Sequence, residues 1–144
     1  MPVCTRRFEW DACHRVPLHE SKCRAFHGHR YAAEVTVHAP ELDAVGRVVD
    51  FGVLKELVGT WIDTHWDHTA LLQRGDTDPA AAAIARSNEG YGRPVFWLDR
   101  PPTAEVLAAE LGGIASGLLQ PLGISVVAVD LWETPNCRAR WPDP

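Results

Sequence analysis

The chain predicts an α+β fold built on an antiparallel sheet, and three observations lead there. Two segments near the N-terminus, 4–14 and 29–39, alternate apolar and polar residues with the period of a strand. Two blocks in the middle carry helical periodicity. A β-branched run, "ISVVAVDLWE" (124–133), is followed across the tight turn "TPN" by the short strand "NCRARW" (136–141). Strands and helices are segregated in the order β-β-α-(insert)-α-β-β, the pattern of α+β rather than α/β chains.

Each element has its own warrant. In "CTRRFEWDACH", Phe8, Trp10 and Ala12 share one parity; in "HRYAAEVTVHA", so do Tyr31, Ala33, Val35 and Val37. The two predict a long antiparallel hairpin whose wide loop, with Pro17 and Gly28 as breakers, is a place for function. "VVDFGVLKELVGTWIDTHW" predicts one helix. Asp50 is its N-cap, Phe51, Leu54, Leu57, Val58, Trp61 and Ile62 form one stripe, and Gly59 is a mild cost. Residues 69–101 read as irregular, apart from a short helix in "TDPAAAAIARSN" and a short strand at "VFWL" (95–98). For that helix Asp78 serves as cap and Pro79 as first residue. "PPTAEVLAAELGGIASGLLQPLG" predicts the second long helix, with prolines before it, Glu105 near its positive end and Gly123 after it.

A chain of 144 residues fits one domain, 1–144, with a self-sufficient core. The net charge of -5 and the lack of a basic face argue against nucleic acid. No apolar run reaches a membrane span, and "MPVCTRRFEW" lacks a signal-peptide core, so a cytoplasmic location is the default expectation. Twelve of the fourteen basic residues are Arg, which suits a small anionic ligand. Cys4, Cys13, Cys23 and Cys137 have no CxxC spacing and read as free thiols.

The chemistry concentrates around "KCRAFHGHR". His27 and His29 stand at i and i+2 of a strand entry and point to one face; His14, ending the preceding strand, can lie opposite them. Three histidines with an open position is a catalytic zinc arrangement, whereas Cys13 or Cys23 with two histidines would make a closed structural site. Cys23, flanked by Lys22 and Arg24, is placed to hold a lowered thiol pKa, unless it is an inert loop thiol. Asp67 beside His68 can orient an imidazole for proton transfer; the alternative is a solvated carboxylate and a helix-capping histidine. His65 shares that helix face and reads as structural. Glu133, after an apolar strand, needs a partner, either Arg138 or Arg140 or a ligand edge presenting two N–H groups.

Taken together, "FEWDACHRV", "CRAFHGHRY", "GRVVDFGVLK", "WDHTALL", "PPTAEVLA" and "ETPNCRARW" resemble the 6-pyruvoyl-tetrahydropterin synthase / 6-carboxy-tetrahydropterin synthase family, in the right order over nearly the whole chain. The resemblance implies the tunnelling fold: a four-stranded antiparallel sheet with two helices on one face, assembled into trimers and stacked hexamers with active sites between subunits. It implies zinc on His14, His27 and His29, a catalytic thiol at Cys23, a proton-transfer pair at Asp67 and His68, and pterin binding by Glu133 and Thr103. The implied substrate is 7,8-dihydroneopterin triphosphate, with Lys22, Arg24 and Arg30 as candidates to neutralise its triphosphate. The short gap from Cys23 to His27, and the retained thiol, favour the 6-carboxy branch, which also releases acetaldehyde and feeds deazapurine and queuosine synthesis. A pyruvoyl-forming lyase and a non-catalytic, zinc-stabilised pterin-binding protein are the alternatives. The chain departs from the family pattern at Val106 of "PTAEV", at Trp66 of "WDH", and in its longer insert over 73–100.

Overall fold

The N-terminal hairpin organises the molecule. In the computed structural model, which describes residues 1–142, β1 (Val3–His14) and β2 (His27–His38) pair antiparallel along their whole length, from Val3 opposite His38 to His14 opposite His27. The second strand therefore begins at His27, two residues before the predicted start. Phe8, Trp10 and Ala12 of β1 lie on one face with Tyr31, Ala33, Val35 and Val37 of β2, and all are buried. β5 (Ser125–Thr134) pairs antiparallel with β2, and β6 (Cys137–Trp141) with β5.

Both long helical segments cover that same apolar face. The first is α-helical over Phe51–Leu54 (α1), widens to a π-helical stretch at Lys55–Gly59, and is α-helical again over Thr60–His65 (α2). Asp50 caps its start by accepting from the Gly52 N–H. Leu54, Val58 and Ile62 enter the core, while Phe51 is 53% exposed. Leu57 and Trp61 pack partly buried against the same core, so five of the six stripe residues face it and Phe51 alone does not. Gly59 sits where a Cβ would come within 3.2 Å of the Phe8 ring, so the helix approaches β1 closely at that turn. The second helix, α4 (Ala104–Leu119), is capped by Thr103 and buries Leu107, Leu111, Ala115 and Leu119. Each of the three fully buried leucines contributes about 2 kcal/mol of transfer free energy, and Ala115 less. Gly123, at φ 72°, closes the short turn after α4 in the left-handed conformation.

The sheet is larger than the four antiparallel strands expected. Thr69–Gln73, predicted as irregular, forms β3, which runs parallel to β1 with Ala12 opposite Thr69 and His14 opposite Leu71. Phe96–Leu98 (β4) runs parallel to β3. The result is one mixed six-stranded sheet in the order β4-β3-β1-β2-β5-β6. β3 escaped the sequence reading because it is buried on both faces: three consecutive apolar residues, Ala70 to Leu72, between Thr69 and Gln73 show no alternation to detect. Leu71 joins the main core, whereas Ala70 and Leu72 face the other way, towards α3 (Pro79–Gly90), Ala81 and Trp97. The insert is therefore a β3–α3–β4 crossover unit at the β1 edge, and α3 lies on the sheet face opposite α4. Asp78 caps α3 as predicted, accepting from the Ala80 N–H, with Pro79 at its first position. Among the described residues no helix is long and apolar enough to cross a membrane.

Candidate metal centre and its proton-transfer groups

The end of the hairpin gathers three imidazoles. His14, His27 and His29 form a near-equilateral group of rings, with centroids 4.6, 5.1 and 4.7 Å apart. The pairing of His14 with His27 places these two directly across the strands, and His29 follows on the same face. Tyr31 lies behind them, edge-on to His14 at 5.9 Å and to His29 at 5.5 Å.

Their hydrogen bonds fix the tautomers. The His14 Nδ1–H donates to the Pro102 carbonyl and the His27 Nδ1–H donates to the Ala25 carbonyl, each at 2.8 Å. A carbonyl only accepts, so in the neutral rings both Nε2 atoms carry lone pairs. Those two Nε2 atoms face each other 3.0 Å apart. His29 Nε2 is buried without a hydrogen-bond partner, although Glu133 Oε1 stands 3.3 Å away. Converging lone pairs and an orphaned buried nitrogen are a donor set waiting for a cation, and a divalent metal of the zinc type fits three imidazole nitrogens. Burial is the main reason that His14 is hard to protonate; with the neighbouring His27 and His29, and against its Pro102 bond, it lowers the pKa to about 4. Burial also lowers that of His29, with Glu133 pulling the other way. Neutral imidazoles are the metal-binding form.

Glu133 belongs to the same cluster: its carboxylate lies within 4.8 Å of the three ligand nitrogens. Its expected arginine partners are engaged elsewhere. Arg140 makes two bonds of 2.8 Å to Asp130, and Arg138 reaches the same carboxylate at 3.7 Å. Those contacts, Arg140 foremost, hold the Asp130 carboxyl below its usual range against burial. Glu133 is left facing the histidines.

Neither Cys13 nor Cys23 joins the histidine cluster, so the closed cysteine-containing site is not formed. Cys13 faces α3 on the other side of the sheet, where burial raises its thiol pKa. Cys23 sits half-buried in a single 3-10 turn, Lys22–Arg24, in the β1–β2 loop.

Asp67 and His68 make a second cluster with Asp11. His68 Nδ1 lies 2.9 Å from Asp67 Oδ1, and the Asp11 N–H donates to the same oxygen at 3.1 Å. Burial pushes the Asp67 carboxyl up, but the Asp11 N–H, the His68 ring and the Arg93 charge together hold it below the usual carboxylate range. His68 adopts φ 58°, a left-handed conformation that costs energy in a non-glycine residue and throws the ring outward. Its N–H bonds the Asp11 carbonyl at 2.7 Å, which starts β3 along β1. The pair is thus not a solvated residue and a helix cap. Asp11 is of opposite parity to His14 on β1, so this cluster sits by the sheet face opposite the histidines. One chain does not bring the two groups together.

Thr103 is the N-cap of α4, its Oγ1 accepting from the Val106 N–H at 3.2 Å. Val106 thus receives its cap through the backbone, and the Thr103 hydroxyl proton remains free to donate. The Pro102 carbonyl beside it positions His14, which places the start of α4 against the histidine group. His65 stacks on Trp61 at 4.5 Å, in keeping with a structural part. Sequence reading missed Arg15, Asp76 and Arg93. Arg15 is buried beside His14, paired with Asp76; Arg93 donates to the carbonyls of Asp63 and Asp67. The one signal available was an arginine directly after His14.

Comparison with known proteins gives the chain's relatives. A family described as 6-pyruvoyl tetrahydropterin synthase matches residues 3–143. A 6-carboxy-5,6,7,8-tetrahydropterin synthase of Rickettsia bellii is 41% identical over 139 residues, covering 95% of this chain and 97% of the relative. Its counterpart from Rickettsia conorii is 37% identical over 138 residues, with the same coverage of 95% and 97%. Among solved structures, an uncharacterized protein from Wolinella succinogenes superposes with a TM-score of 0.81 at 26% identity, covering 96% of each chain. The 6-pyruvoyl tetrahydropterin synthase of Caenorhabditis elegans superposes at 0.66 with 23% identity, covering 100% of this chain and 98% of that one; at that identity the likeness concerns the fold alone.

Proposed function

The chain belongs to the 6-pyruvoyl tetrahydropterin synthase family, and from that membership we propose that it is a zinc-dependent lyase acting on 7,8-dihydroneopterin triphosphate. One water is consumed and the products are 6-carboxy-5,6,7,8-tetrahydropterin, acetaldehyde and triphosphate; the carboxypterin enters deazapurine synthesis. The observation that carries the reading is the convergence of the His14, His27 and His29 rings beside Glu133, in a chain similar to four Rickettsia proteins that bear the 6-carboxy name. The 6-carboxy reading is preferred to the pyruvoyl one on those names and on the short spacing from Cys23 to His27.

His14, His27 and His29 would hold the metal, and the whole of 1–144 acts as one catalytic domain. Bound there, zinc supplies Lewis acidity to the hydroxyls of the pterin side chain. Glu133, having no arginine of its own, accepts the N–H edge of the pterin ring and fixes which carbon faces the thiol. Cys23, as thiolate, takes a proton from the side chain. His68 returns a proton, with Asp67 orienting the ring and supporting its charged form. Since the Asp67–His68 pair lies by the opposite sheet face, it serves the centre of a neighbouring copy, and the active unit is a homo-oligomer.

The test that separates an enzyme from a binding protein is Cys23→Ala. The variant is expected to retain zinc, measured by metal analysis, and the oligomer, measured by light scattering, while losing turnover by roughly a hundredfold or more. Full turnover in that variant would remove Cys23 from the chemistry, whereas pterin binding without turnover by the zinc-loaded parent protein would favour a binding role.

A further inference from the structure

Arg15 is charged yet buried, 8% exposed, and its partner Asp76 has a side chain only 2% exposed. The Arg15 Nη1 lies 2.5 Å from both Asp76 oxygens. Desolvating such a pair is costly, and apolar residues of similar shape often serve stability as well. The pair therefore calls for a purpose beyond holding the fold.

The contacts supply one. With its Nη1 held by Asp76, Arg15 turns its Nε–H to the Arg24 carbonyl at 2.8 Å. Next along the chain, the Val16 N–H donates to the Cys23 carbonyl at 2.9 Å. The His27 Nδ1–H holds the Ala25 carbonyl. Three consecutive carbonyls, those of Cys23, Arg24 and Ala25, are thus tied to residues adjoining His14 or to His27 itself. Asp76 is fixed in turn by the insert. Its N–H donates to the Gln73 carbonyl at the end of β3, and its Oδ1 accepts from the N–H of Asp78, the cap of α3.

We propose that Asp76 and Arg15 are positioning residues: Asp76, carried on the β3–α3 connection, clamps Arg15 so that the turn bearing the Cys23 thiol is held in register with the histidine centre. This gives the insert a role in the reaction without contact with substrate. It rests on the reading of Cys23 as the proton acceptor.

The test uses the zinc-loaded, full-length protein. Asp76→Asn keeps the side chain's shape and removes its charge; Asp76→Glu is the conservative rescue. Measured for each are zinc content, kcat, KM and the peptide-resolved rate of Cys23 alkylation by iodoacetamide at one pH. Asp76→Asn is expected to keep its zinc and a KM within about twofold, to lose roughly tenfold or more in kcat, and to change the Cys23 alkylation rate several-fold, with Asp76→Glu partly restoring both. Unchanged kcat and alkylation in Asp76→Asn would overturn the proposal. So would a loss of kcat that follows loss of zinc or fold while Cys23 reactivity stays as in the parent. Should Asp76→Asn not fold, Arg15→Lys, which keeps the charge but lacks the Nε–H, is held to the same outcomes. The underlying reading fails separately: active Cys23→Ala removes the thiol's role, whereas inactive Cys23→Ala beside fully active Asp76→Asn removes the positioning role alone.

Discussion

His14 illustrates how one buried side chain sets the behaviour of the centre. Its folded pKa of about 4 lies below the ordinary 6.5, so between those values the unfolded chain binds more protons than the folded one. The sign follows: metal-free protein keeps this contribution above pH 6.5 and loses it as the pH falls towards 4, by up to about 3 kcal/mol. Denaturant melts of chelated protein across that window should show the loss, and a smaller one in His14→Gln; identical slopes would contradict a buried neutral imidazole. Glu133 offers a second test at this scale. As the pterin anchor, Glu133→Gln should retain zinc and lose substrate affinity, read as a raised KM, whereas loss of zinc would make Glu133 a fourth ligand. The histidine trio is legible in the sequence because strand parity puts His14, His27 and His29 on one face. Arg15 and Asp76 are not legible as a pair, because 61 positions separate them and no period links them.

At the scale of elements, the helix starts are written locally and the insert is not. Asp50, Asp78 and Thr103 all cap as a short side-chain acceptor before a helical run predicts. Thr103→Ala should therefore cost about 1 kcal/mol in thermal melts, while Thr103→Ser should cost little. Gly112 of α4 is different in kind, since a Cβ there would stand 2.2 Å from the Trp141 ring on β6. Gly112→Ala gains helix propensity yet forces the ring away, and a net loss of about 2 kcal/mol, measured as a lower denaturation midpoint, is the expected outcome. β3 was not legible for the reason that also makes it central: with both faces covered its residues carry no polar alternation. That strand joins α3 to the sheet and brings Asp67 and His68 alongside Asp11, so reading 69–73 as irregular concealed why the insert matters.

For the whole molecule, the α+β order, the antiparallel run β1-β2-β5-β6 and the short strand β4 followed from alternation, turns and segregation of elements, while β3 and the parallel pairing of β3 and β4 had to be seen. The histidine centre and the Asp67–His68 pair sit by opposite faces of one sheet, so under the proposed mechanism the complete site draws on a second copy. Co-expressed Cys23→Ala and His68→Ala chains, each inactive alone, should form mixed oligomers that recover part of the activity; none in verified mixed oligomers would place all groups in one chain's site. The central claim is the reaction itself. The most direct measurement is incubation of the zinc-loaded protein with 7,8-dihydroneopterin triphosphate, with mass analysis of the pterin and trapping of the aldehyde. The expected products are 6-carboxy-5,6,7,8-tetrahydropterin and acetaldehyde in equal amount; a 6-pyruvoyl product without acetaldehyde, or no turnover by zinc-loaded protein, would contradict the proposed reaction.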